Sequence, residues 1–156
     1  MLIRRAEISD IPDILRLLVQ VCNVHQDIRP DIFKRNGVKY TESDLKELLT
    51  DEGRPVWCAV EDGTFLGDCF CQREEYHNTS VMIDRRELYI DDLCVDEAAR
   101  GKGVATAQFR HVTQAAKAQG ANFITLNVWE GNSALQFYEK MGMKPRKTTL
   151  DLPLED

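Results

Sequence analysis

Apolar residues recur along this chain at two spacings, and the switching between them predicts a single α/β unit over residues 1–156. Ile11, Ile14, Leu15, Leu18 and Val21 fall on one face of a helix, with Ser9 as its cap and Pro12 tolerated in its first turn. Leu2–Ala6, ahead of it, reads as an edge strand. Residues 27–41 hold Pro30 and Gly37 and read as loop with a short helical turn, followed by a second helix over Ser43–Thr50. Val56–Glu61 and Thr64–Glu74 read as strands, and Glu61-Asp62-Gly63 between them is a hairpin signal. Arg85–Val95 is the expected central strand and Val104–Gln119 a helix stopped by Gly120. Then come a strand over Asn122–Val128, a helix from Asn132 closed by Gly142, and a last strand from Met143 to about Leu152. The order βααβββαβαβ predicts parallel pairing wherever a helix separates two strands.

The turn between the central strand and the next helix carries the first chemical signal. Arg100-Gly101-Lys102-Gly103-Val104-Ala105 places glycines where a strand hands over to a helix. Such a turn aims backbone N–H groups and the positive end of a helix dipole at one point, which suits a phosphate. Gly103 would let an anion approach the backbone, and Arg100 and Lys102 would add positive charge at the rim. A Gly-x-Gly alone also occurs at helix starts that hold nothing. The P-loop spacing is absent, and the dinucleotide fingerprint lacks its third glycine and its acidic residue.

The second signal lies downstream, in Asn132-Ser133-Ala134-Leu135-Gln136-Phe137-Tyr138-Glu139-Lys140-Met141-Gly142. Phe137 is most simply a core residue. A buried Tyr138 needs a partner for its hydroxyl and is therefore the more informative of the two. In this order, Arg100-x-x-Gly103-x-Ala105 and the Asn132–Gly142 helix resemble the GNAT family of acetyl-coenzyme A-dependent N-acetyltransferases. Ala134 stands one place from the commonest family spacing. The resemblance covers the chain from Ile3 to Leu154.

The resemblance implies an α/β (α+β) fold with a mixed, twisted sheet of six to seven strands. Helices cover both faces, and a splayed slot admits the cofactor. It implies acetyl-CoA as the acetyl donor, no metal, a small-molecule amine as acceptor, and a homodimer. Arg100, Gly101, Lys102, Gly103, Val104, Ala105, Thr106 and Asn132 are the positions it assigns to the cofactor. An amide of Leu93, Cys94 or Val95 would polarise the thioester carbonyl as an oxyanion-type donor. Tyr138 would serve the departing thiolate as a general acid, although a phenol near 10 gives up its proton uphill to a thiol near 8.5.

Acyl transfer to an amine needs an uncharged nucleophile, and only about one alkylamine in a few thousand is neutral at pH 7. Asp91 and Asp92, before the glycine turn, are the carboxylates that could take the proton. Adjacent strand residues face opposite ways, so only one reaches the cleft unless the strand bulges. Resemblance to the spermidine/spermine N-acetyltransferases, which carry an acidic pair there, makes Asp91 the first choice and a cationic amine the expected acceptor. His25, Arg29, Phe33, Trp57, Glu74 and Tyr89 are possible lining residues. His111 reads as a helix histidine, and Cys94 as a core thiol rather than a nucleophile. Two other readings stay open: a coenzyme A-binding module without catalysis, and acetylation of a protein or peptide amino group.

Composition narrows the field without naming the acceptor. A hydrophobic fraction of 43% and a charged fraction of 29% suit one globular domain. The net charge of −6 argues against nucleic acid, whose phosphates demand a basic surface. No apolar run approaches the ~20 residues of a membrane span, so no membrane partner is expected. Met1-Leu2-Ile3-Arg4-Arg5 is not followed by the apolar stretch of an export signal. Five cysteines without a C-x-x-C pair make neither a disulfide framework nor a zinc site, and fit a cytoplasmic location.

Overall fold

A computed structural model describes residues 1–155. Its sheet has five strands in the order β1 (Leu2–Arg5), β2 (Val56–Glu61), β3 (Thr64–Tyr76), β4 (Arg85–Val95) and β5 (Phe123–Leu126). The first four pair antiparallel, and β5 runs parallel to β4. α1 (Ile11–Ile28) and α2 (Glu42–Leu48) cover one face, packing Ile14, Leu17, Leu18, Leu45 and Leu48 onto Val56, Phe65, Phe70 and Cys94. α3 (Val104–Ala118) and α4 (Ala134–Lys140) cover the other, where Phe109, Val112 and Tyr138 meet Cys69, Cys71, Leu88 and Ile90. Fully burying one such aliphatic side chain is worth about 1.5–3 kcal/mol, so both faces contribute heavily.

Three sequence expectations are corrected. Among the described residues the sheet has five strands rather than six to seven, because those after Gly142 form no strand. Pro145 supplies no ladder N–H, while ion pairs Arg146–Glu87 (2.8 Å) and Arg29–Asp151 (2.9 Å) hold the segment along another course. Its alternating Leu150, Leu152 and Leu154 are left exposed. α1 is not capped by Ser9 but preceded by a 3-10 turn over Ile8–Asp10, whose Asp10 accepts from Arg4 at 2.7 and 3.0 Å. α2 starts one residue early because Thr41 and Asp44 form a reciprocal capping box, with Asp44 N–H on Thr41 Oγ1 at 3.1 Å.

The Arg4–Asp10 pair makes a stability prediction. The Asp10 side chain is only 10% exposed. Burial pushes its carboxyl up, but hydrogen bonds from Arg4 and the Glu7 amide outweigh that and hold it below the ordinary value. A depressed folded-state pKa gives stability that is present above the unfolded value and lost as pH falls through the folded one. Asp10→Asn should cost about 2–4 kcal/mol at neutral pH and flatten the acid limb of stability, read by urea unfolding at several pH values.

Candidate active site

The site is built around an irregularity in β4. Phe70 pairs with Asp92 and Cys71 with Ile90, so Asp91 is an extra residue that nothing on β3 opposes. The bulge resets the alternation of the strand. Asp91 and Asp92 consequently turn their carboxylates to one place, both accepting from Lys39 Nζ, Asp92 at 3.4 Å. Since Asp92 stands opposite Phe70, that place is on the α1 face.

The electrostatics separate the two carboxylates. Asp92 has a side chain only 9% exposed, against 28% for Asp91. Burial raises the Asp92 pKa, with Asp91 adding to the rise and Lys39 opposing it. Burial works against the Lys39 charge, yet Asp91 and Asp92 hold the ammonium above its ordinary value. Burial lowers His25, which feels Asp92 and Lys39 from opposite directions. His25 meets the Phe33 ring at 5.0 Å, and Phe33 meets Trp129 edge-on at 5.3 Å. Asn127 donates to the Tyr89 hydroxyl at 3.2 Å. An aromatic wall from α1, the loop after it and the segment after β5 therefore stands beside the acidic pair.

The slot follows from strand lengths. β5 pairs only with Glu87–Ile90, so Asp91–Val95 has no neighbour on its outer edge. Outward amides of Leu93–Val95 on that edge are open to an oxyanion. Tyr138 packs on the α3 face, opposite the acidic pair. The unpartnered polar atoms sealed from solvent are Asp68 Oδ2 and the Gln108 amide, so the Tyr138 hydroxyl, which has no hydrogen bond among the described residues, keeps access to solvent. Burial, then Cys69, Asp92 and Cys94, raise its pKa. The phenol is thus a hydrogen-bond donor through the alkaline range and a poor proton source. Cys94 faces α1, where its Sγ meets Leu17 O at 3.7 Å. Burial pushes that thiol far up, which removes it as a nucleophile.

At the head of α3, Gly101 (φ +77°) and Gly103 (φ +79°) are left-handed, and a Cβ on either would meet nothing within 4 Å. Ala107 N–H reaches Gly103 O at 3.0 Å as the first turn closes, leaving the amides of Val104, Ala105 and Thr106 without helical acceptors. No side chain caps them, and Arg100 and Lys102 stand exposed at the rim. Open space, free donors and two cations fit the pyrophosphate of coenzyme A. Asn132 lies just before α4, not in it, and its side chain accepts from Ala134 N–H at 2.9 Å.

Asp91–Val95 thus lie along the open edge of β4 and Arg100–Thr106 at the head of α3, while Tyr138 packs on the α3 face, Asn132 precedes α4, and two possible lining residues lie elsewhere. Trp57 packs against His111 at 4.6 Å on the α3 side. Glu74 accepts from Tyr76 at 2.7 Å, farther along β3 than Phe70 and Cys71. Lys39 and Trp129 went unnoticed in the sequence, because a lysine in a loop and a tryptophan after a strand carry no local signal. Asp68 was missed too. It is buried between Cys58 and Cys94, and burial together with Asp92 raises its pKa well above the ordinary carboxylate value. Among the described residues there is no cluster of three or more metal-ligating side chains, and no helix is long and apolar enough to cross a membrane.

Residues 18–143 match the model of the acetyltransferase (GNAT) family. A variant of the BH1408 protein from Bacillus halodurans is 31% identical, covering 99% of this chain and 100% of that one, with a TM-score of 0.94. An aminoglycoside acetyltransferase from an uncultured soil metagenomic sample is 22% identical over 98% of this chain and 97% of its own, with a TM-score of 0.70. Glucosamine-6-phosphate N-acetyltransferase from Arabidopsis thaliana is 18% identical over 99% of this chain and 98% of its own, with a TM-score of 0.73. The last two likenesses concern the fold. No curated protein sequence matches the chain.

Proposed function

Because this chain belongs to the acetyltransferase (GNAT) family, we propose that it moves an acetyl group from acetyl-CoA to the amino group of a small molecule. The observation that carries this reading is the β4 bulge. It sets two carboxylates around one ammonium at the point where β4 loses its neighbour, with Tyr138 on the other face.

Acetyl-CoA supplies an acyl group activated as a thioester; the chain supplies everything around it. Amides at the head of α3, with Arg100 and Lys102, hold the anionic end. An outward amide of Leu93–Val95 stabilises developing negative charge. Asp92 accepts the amine proton, Asp91 orients the ammonium, and the Tyr138 hydroxyl donates to the departing thiolate. The acidic pair and Tyr138 lie on opposite faces of the sheet, so the groups that would serve the amine and the leaving thiolate approach from two sides, which supports direct attack over an acyl-enzyme. A polyamine acceptor, suggested by the acidic pair, loses its electrostatic basis here. Lys39 already neutralises part of that charge, so one ammonium fits better than several.

The test is a panel of amines assayed for free thiol released from acetyl-CoA. Release with at least one small amine supports the enzyme; tight binding without release for any amine supports a binding module instead. Asp92→Asn should lower kcat by about 10²-fold, while Asp91→Asn should mainly raise the amine KM. If both leave amine kinetics unchanged, the pair is structural. Activity should rise from neutral toward alkaline pH as the amine loses its proton. Its acid limb should lie above the ordinary carboxylate range, because protonated Asp92 accepts nothing and its pKa is raised.

A homodimer is the proposed assembly, supported by the exposed Leu150, Leu152 and Leu154 and checked by light scattering. A cytoplasmic location is likewise proposed, on five free cysteines.

A further inference from the structure

We propose that Lys39 is itself an acceptor: with acetyl-CoA bound and no other amine in the site, the chain acetylates its own Lys39 Nζ. The inference rests on the acetyltransferase reading above. A lysine side chain is a primary alkylamine, the same chemical class as the proposed acceptor. Among the described residues, Lys39 is the one cation paired with Asp91 and Asp92.

That placement is held by structure on several sides. Tyr40, the next residue, stacks on Phe70 at 5.8 Å, and its hydroxyl accepts from Arg54 at 2.8 Å. Farther back in the loop, Asn36 N–H donates to Asn23 Oδ1 at 2.7 Å. Phe70 is also the residue that faces Asp92 across the strands. The loop is therefore anchored to the same point of the sheet that carries the acidic pair. Lys39 keeps 45% of its side chain exposed, so its ammonium is pinned at one end of the cleft without being sealed away.

The chemistry balances without a further reagent. The ammonium gives one proton to Asp92 or water, and the neutral Nζ adds to the thioester carbonyl carbon. The C–N bond forms, the C–S bond breaks, and coenzyme A leaves as a thiolate. The nitrogen then loses a second proton; one of the two ends on the coenzyme A thiol and the other in solvent. The product is neutral Nε-acetyl-lysine. Because Asp91 and Asp92 hold the ammonium in its charged form, the step is slow beside transfer to a better acceptor. Acetylation also frees the acidic pair from its cation, so the modified chain offers an uncovered carboxylate pair to a cationic amine.

The experiment incubates the whole chain with isotopically labelled acetyl-CoA and no added amine, then counts and maps acetyl groups by mass spectrometry. The expected result is one acetyl group per chain that forms ahead of any other, on Lys39. It should form at least about tenfold faster than acetylation of exposed Lys117 on α3, and slow when coenzyme A competes. K39R keeps the positive charge beside the carboxylates and should lose this label alone. Labelling of Lys39 no faster than Lys117, or a first-formed label retained by K39R, overturns the proposal. The amine panel run on the same preparation separates the two readings. Thiol release to external amines with Lys39 unlabelled overturns self-acetylation alone, whereas no release and no label overturns both.

Discussion

Gly103→Val should weaken acetyl-CoA binding by roughly 100-fold or more, the largest effect expected of any single change in this chain. Gly103 sits at φ +79°, and the space its Cβ would enter is open. The free amides of the first α3 turn begin at the next residue, Val104. A valine can keep the left-handed backbone and fill the space with its branched side chain. Alternatively it can relax to negative φ, escaping a cost of about 1–2 kcal/mol, and turn the amides away. Either outcome removes hydrogen bonds to a charged group, each worth about 1.5–3 kcal/mol. Two such losses give the stated factor, since about 1.4 kcal/mol is tenfold. Stability should fall by no more than the backbone strain, because Gly103 is exposed and packs on nothing. Calorimetric titration with acetyl-CoA decides it: an unchanged Kd in a folded variant removes the phosphate role of the α3 turn.

Tyr138→Phe should leave coenzyme A affinity within a few-fold while lowering kcat by roughly 10–100-fold. The ring is packed against Phe137 (5.2 Å) and Phe109 (6.2 Å), contacts that phenylalanine preserves. Only the hydroxyl is lost. Its raised pKa keeps the phenol protonated through the range in which the amine becomes neutral, so the wild-type rate should show no alkaline decline from Tyr138. A hydrogen bond that strengthens as the thiolate forms acts on the transition state and not on binding. Equal single-turnover rates for the two proteins would reduce Tyr138 to a packing residue.

Local patterns made much of this molecule legible before any coordinates. Val56–Glu61 and Arg85–Val95 are strands at the residues their patterning indicated, because short runs rich in β-branched and apolar residues bounded by turn signals favour a strand. Gly101 and Gly103 announced the α3 turn, since few other residues accept positive φ cheaply. Thr41-x-x-Asp44 was an available signal for the true start of α2, a pattern with aspartate in place of the usual glutamate or glutamine. The last strand failed for the opposite reason. Leu150, Leu152 and Leu154 alternate correctly, but alternation forms a strand only where an edge and an apolar face are offered together.

What the sequence by itself determined, then, was the order of elements as far as the helix before Gly142, the glycine turn, and the presence of two neighbouring carboxylates. Each is written in contacts a few residues apart, where backbone sterics and side-chain period act directly. Tertiary structure alone decided that Asp91 bulges out of register, so both carboxylates share a face rather than opposing one another. It also decided that Lys39, 52 residues from Asp91, reaches them, and that Tyr138 lies across the sheet from them. Those outcomes depend on where strands stop pairing and where a loop is anchored, and on how much water burial removes from each charge. None of these is set by neighbours in the chain.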